Sequence, residues 1–101
     1  MSVLKGILSE SKEYYLGLKQ KIERKLLSLP HGSVKERQIA GKRYYYLQFR
    51  VGRKVSHKYL GKDKPESLIK QLSERRVLKS ELKKVNEALK MLKRSEGKRH
   101  G

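Results

Sequence analysis

The chain has 101 residues and a formal net charge of +17, from 27 Lys+Arg against 10 Asp+Glu; that is the size of one domain, and the charge points to a polyanionic partner. Hydrophobic residues make up 36% and charged residues 37%, enough apolar surface for a small core but too little for a deep substrate cavity. There is no cysteine, which excludes disulfide scaffolds, thiolate–zinc sites and cysteine nucleophiles. No apolar run approaches the roughly 18 residues that span a bilayer, and the first residues contain no secretory apolar core. The expected location is therefore cytoplasmic, or nucleoid-associated if the polyanion is DNA.

Residues 1–29 are predicted to form a first helix. Leu4, Leu8, Ser11, Tyr15, Leu18, Ile22, Lys25 and Leu29 recur in steps of four and three, a heptad seam with polar members. Gly6 and Gly17 each cost that helix about 1 kcal/mol relative to alanine. Leu29-Pro30-His31-Gly32 ends it, because proline cannot continue the hydrogen-bond ladder.

Over 33–60 the period changes to two, which predicts three antiparallel strands. A two-residue turn at Ala40-Gly41 pairs Ile39 with Lys42 and sets Val34 beside Tyr45 and Leu47. The second turn has two registers. An even loop would place Lys54 and Lys58 beside Leu47 and Phe49. A three-residue loop, Gly52-Arg53-Lys54, would place Val55, His57 and Tyr59 there instead. The cost of burying lysine favours the three-residue loop. The expected core face is then Val34, Tyr45, Leu47, Phe49, Val51, Val55, His57 and Tyr59. The expected exposed face is Lys35, Arg37, Tyr44, Tyr46, Gln48, Arg50, Lys54, Ser56 and Lys58.

Residues 64–95 are predicted to form a second helix, opened by an Asp63…Glu66 capping box with Pro65 in the first turn. Leu78, Leu82, Val85, Leu89 and Leu92 make a clean heptad, while Leu68, Ile69 and Leu72 lie on a rotated stripe. One helix therefore serves two partners: its first turns cover the sheet, and its later turns pair antiparallel with helix 1. Residues 96–101 are expected to be a disordered tail. The expected fold is a single α+β domain, a three-stranded antiparallel sheet flanked by two long helices. The seams also offer a route to a homodimer.

Function is read from the exposed sheet face. Residues 31–64 carry ten basic and two acidic side chains, +8, and most of the aromatic residues. Lys35, Arg37, Tyr44, Tyr46, Gln48, Arg50, Lys54 and Lys58 are the candidate nucleic-acid-binding residues. Lysine and arginine neutralise phosphates. Arg37, Gln48 and Arg50 hold donors suited to base edges, and a small sheet fits the DNA major groove. Tyr44 and Tyr46 offer stacking surfaces. Duplex DNA is the favoured partner, with RNA a variant of the same reading. The competing readings are a solvated face kept soluble by its charge, and a coiled-coil interaction module acting through Leu82, Val85 and Leu89. The basic residues of helix 2, among them Arg75, Arg76 and Lys79, read as an ordinary solvated face.

Enzymatic readings find no supporting residues. His31, His57 and His100 lack ligand spacing, so no metal or other cofactor is expected, and His57 is expected to be half-buried in the sheet. The sheet region offers no carboxylate pair and no phosphate-cradling glycine loop.

Leu29-Pro30-His31-Gly32-Ser33, Tyr44-Tyr45-Tyr46-Leu47-Gln48-Phe49-Arg50, Lys54-Val55 and Tyr59-Leu60-Gly61-Lys62 together resemble an uncharacterised family of small archaeal and bacterial proteins. Its core reads LPxGS…YYYLQxR…KVxxxYLGK between two charged helices. The same rhythm is similar to an N-terminal segment of some DDE-type transposases. More loosely, three strands and a helix look like the arm-binding domains of phage integrases. Those resemblances imply DNA contact through the sheet. No catalytic domain follows in this sequence, so transposase or integrase activity is not implied.

Overall fold

The computed structural model describes residues 3–97, with side chains described over 6–95. The elements run α1 (Val3–Ser28), β1 (Ser33–Ile39), β2 (Lys42–Val51), β3 (Lys54–Gly61) and α2 (Glu66–Gly97). The fold class is α+β: two helices that contact each other and one antiparallel sheet in the order β1-β2-β3. Two compact units are present. One comprises residues 1–28 and 77–101, the other residues 29–76. The helix α2 contributes its first turns to the sheet unit and the rest to the helical unit.

In the helical unit the two seams behave as their spacing predicts. Ile22 and Val85 are buried, and Leu8, Ser11, Tyr15, Leu18, Leu78, Leu82, Leu89 and Leu92 are half-buried. At Lys25, which is exposed, the seam passes to half-buried Leu26. An apolar neighbour on the same helical face takes the place that a charged side chain cannot fill. The side chain of Leu4 lies outside the described residues, as do His100 and the last four positions. The helix continues through Gly97, past the point where the sequence suggests a tail.

The sheet unit buries Tyr45 and Leu72, which are 8% and 4% exposed. Val34, Tyr45, Ile69 and Leu72 share one cleft, so the first turns of α2 cover the β1–β2 half of this face. The remaining part, around Leu47 and Phe49, is met by the segment that follows Pro30. His31 lies edge-on to Phe49 at 6.2 Å. Gly32 comes so close that a Cβ there would stand 2.5 Å from the Gln48 carbonyl oxygen and 3.1 Å from both Leu47 Cδ1 and Phe49 Cβ. Its φ of +120° is also one that side-chain-bearing residues rarely adopt.

The first hairpin has the expected register, with Ile39 opposite Lys42 and Val34 opposite Leu47. Both turn residues take positive φ, Ala40 at 52° and Gly41 at 78°, which makes a type I′ turn.

The second hairpin corrects the sequence reading. Val51 stands opposite Lys54, and Leu47 opposite Lys58, so the loop is the two residues Gly52-Arg53. Gly52 has φ +61° and Arg53 does not take positive φ, the pattern of a type II′ turn with glycine first. Lys54, Ser56 and Lys58 therefore lie on the face of Leu47 and Phe49, and Val55, His57 and Tyr59 on the opposite one. The burial cost that argued against this register does not arise. The strand β3 is an edge, and Lys54 and Lys58 remain exposed there, with their ammonium groups in water.

The strand β3 also carries a bulge. Tyr46 pairs with Tyr59 but Tyr45 pairs with Gly61, leaving Leu60 as the extra residue.

The start of α2 differs as well. Its first turn closes with the Ile69 N–H donating to the Pro65 carbonyl at 3.0 Å, and the helix begins at Glu66. Asp63 thus lies outside the first turn, and the capping box expected between Asp63 and Glu66 is not formed.

Candidate nucleic-acid interface

Alternation along the strands places Lys35, Arg37 and Ile39 from β1 on one face with Lys42, Tyr44, Tyr46, Gln48 and Arg50 from β2 and Val55, His57 and Tyr59 from β3. Six of the eight residues expected from sequence are brought together: Lys35, Arg37, Tyr44, Tyr46, Gln48 and Arg50. Lys54 and Lys58 are not, because the two-residue turn carries them to the other face. His57, expected to be half-buried against the core, is exposed on this face.

Tyr59 is the largest gain. It is 52% exposed, with its ring centroid 5.4 Å from that of Tyr46 and 6.3 Å from that of Tyr44. The rings are tilted by 58° and 48°, so they form the walls of a hollow rather than a flat platform. With Ile39 they line a shallow depression of about 360 Å³. The Arg37 guanidinium lies over the Tyr46 ring at 5.2 Å from its centroid, a cation–π contact across neighbouring strands. Such a contact leaves the guanidinium N–H groups able to donate to a ligand.

The two faces differ in sign balance. Among the described strand residues, Glu36 is the one carboxylate, and register sets it on the covered face, where it pairs with Arg43 at 3.2 Å. The exposed face holds Lys35, Arg37, Lys42 and Arg50 with no strand carboxylate among them. From the level of Arg37, opposite Tyr44, to Arg50 the cations extend about 20 Å along the sheet at the ordinary strand rise.

Sequence reasoning missed Lys42, Tyr59 and His57 on this face. Lys42 was within reach, since stepping back by two from Tyr44 arrives at it. Tyr59 and His57 needed the second turn to be read from its glycine rather than from the cost of lysine burial. No helix among the described residues is long and apolar enough to cross a membrane.

No curated protein and no solved structure matches this chain. A family model does, over residues 11–71, which takes in most of α1, the whole sheet and the first turns of α2. The Pro30–Gly32 connection, the tyrosine-rich second strand and the bulged third strand all fall inside that match, and on it the chain belongs to the family described as a domain of unknown function (DUF6788).

Proposed function

We propose that the chain binds nucleic acid through the exposed face of its sheet. The observation that carries this reading is the segregation of charge. Lys35, Arg37, Lys42 and Arg50 share a face on which the strands place no carboxylate, while Glu36 sits on the opposite face against Arg43. Cations without a carboxylate partner gain from neutralising phosphates and releasing condensed counterions. Arg37, Gln48 and Arg50 add directed donors for phosphate oxygens or base edges. The similarity of the Tyr-Leu…Arg…Tyr-Leu-Gly rhythm to a transposase segment supports DNA as the polyanion. The burial of Ile22 and Val85 within the helical unit favours this reading over an oligomerisation module, since the chain's own helices already occupy the centre of the seam.

The test is binding of labelled duplex DNA, single-stranded DNA and structured RNA by fluorescence anisotropy between 50 and 300 mM salt. Affinity should fall steeply as salt rises. Arg37→Ala combined with Arg50→Ala should weaken binding of every ligand at least about tenfold while circular dichroism and the melting curve stay unchanged. Unaltered binding by a folded double variant sinks the assignment to this face.

A further inference from the structure

Resting on that reading, we infer that the depression between Tyr44, Tyr46 and Tyr59 receives an unpaired nucleobase, so that the ligand preferred by this face is a single strand. The register of β3 sets the character of the face. It removes two lysines and supplies a third tyrosine, which makes the surface less like a pure phosphate clamp and more aromatic. The Tyr46 and Tyr44 rings, 5.4 and 6.3 Å from that of Tyr59, form with it and the exposed Ile39 an apolar hollow open to solvent. A duplex cannot use such a hollow, because its base faces are stacked inside and its grooves present edges and phosphates. A single strand presents both a backbone and free base faces, and aromatic side chains beside cations are the surface that takes them.

Charge decides among other occupants. Aromatic hollows also attract ammonium ligands, but here Arg37 already lies over Tyr46 and the face has no strand carboxylate to favour a second cation. An apolar peptide would cover the hollow at the expense of desolvating Arg37. A nucleotide satisfies both parts at once. Its base lies against the rings, and its phosphate meets the guanidinium of Arg37, which contacts Tyr46, one of the rings that line the hollow.

The experiment compares four 20-nucleotide probes at one salt concentration: oligo-dT, oligo-rU, a mixed-sequence duplex DNA, and a DNA strand of the same length with abasic sites throughout. The wild-type chain should bind at least one of the two single strands about tenfold or more tighter than either the duplex or the abasic strand. Whichever single strand is tighter identifies the source of the base. Tyr59→Leu, which keeps apolar bulk and every charge, should lose most of that advantage and leave duplex binding within about twofold, whereas Tyr59→Phe should retain it. Circular dichroism confirms that each variant is folded, and the abasic comparison stands on the wild-type chain alone. Equal affinity for the abasic strand and both single strands, or tighter binding of the duplex, overturns base insertion while leaving phosphate binding intact. Failure to bind any of the four probes at low salt would instead remove the nucleic-acid reading itself.

Discussion

Tyr59 stands opposite Tyr46 across the β2–β3 ladder, and its neighbour Lys58 stands opposite Leu47 on the reverse face. This pairing sets the chemistry of both sides of the sheet. A shift of one residue along β3 would exchange every side chain of β3 between them. The exposed face would then lose its third ring and gain Lys54 and Lys58.

The register has a direct consequence for stability. Val55 is 48% exposed, so Val55→Thr should change the unfolding free energy by less than about 0.5 kcal/mol. Leu72, buried against the sheet, should cost about 2–5 kcal/mol when cut to alanine. Denaturant midpoints measure both. A larger loss at Val55 than at Leu72 would mean that β3 pairs in the shifted register.

The approach of Gly32 to the second strand should make it intolerant of any side chain. Gly32→Ala adds a Cβ against the Gln48 carbonyl and imposes a left-handed φ on alanine. We expect a loss of about 2 kcal/mol or more, from backbone strain of about 1–3 kcal/mol and the contact together. A thermal melt within a degree or two of the wild-type value would contradict this placement of the connection.

Ala40 offers the opposite opportunity. It holds φ 52° at the first position of the Ala40-Gly41 turn, a region that costs an ordinary L-residue about 1–2 kcal/mol and that asparagine tolerates better. Ala40→Asn, giving the favoured Asn-Gly pair, should raise stability by about 1 kcal/mol. Chemical denaturation would show this as a higher midpoint at unchanged slope.

Salt titrations can separate the two faces. Removing Arg37 and Arg50 should lower the slope of log affinity against log salt by about two, one for each lost phosphate contact. Lys54→Ala with Lys58→Ala removes the same formal charge from the other face and should lower the slope distinctly less. Equal changes for the two pairs would show that the ligand does not discriminate between the faces.

In the helical unit, Gly17 has no atom within 4 Å of the position a Cβ would take, apart from its own helix backbone and chain neighbours. Gly17→Ala should therefore stabilise α1 by about 1 kcal/mol through helix propensity alone. Amide exchange along α1 should slow in the variant, and unchanged exchange would place the stability of that helix elsewhere.

The elements and their chain order were legible because each is signalled by local chemistry. Pro30 stops α1, the alternation from Tyr44 to Val51 can only be a strand, and the Leu78–Leu92 spacing marks a helix with one packed face. The first hairpin was legible because Gly41 and the apolar alternation agree on a two-residue turn. The second was misread because the apolar pattern was treated as if the whole core face were covered. Cover from α2 reaches Val34 and Tyr45, while Lys54 and Lys58 meet water at the edge, so the argument from lysine burial had no force and Gly52 set the turn. The candidate site inherits this division. Its β1 and β2 residues were visible in the sequence, whereas Tyr59 depends on a register that only the fold specifies. The close approach of Gly32 was likewise not legible, since its partners lie some fifteen residues further on.

The lopsided distribution of charge has another consequence, for how separate copies of the chain behave. Both outer strands, β1 and β3, leave one edge of their backbone groups without a strand neighbour, the arrangement that invites sheets to grow by addition of further chains. Lys35 and Arg37 guard one border, and Lys54 and Lys58 the other. Lys35 and Arg37 stand on the exposed face and Lys54 and Lys58 on the covered one, so each border presents cations to an approaching copy. The cations proposed to meet a polyanion should thus also oppose edge-to-edge association of the free protein. Substitutions that strip them should shorten its shelf life in solution well before they lower its melting temperature.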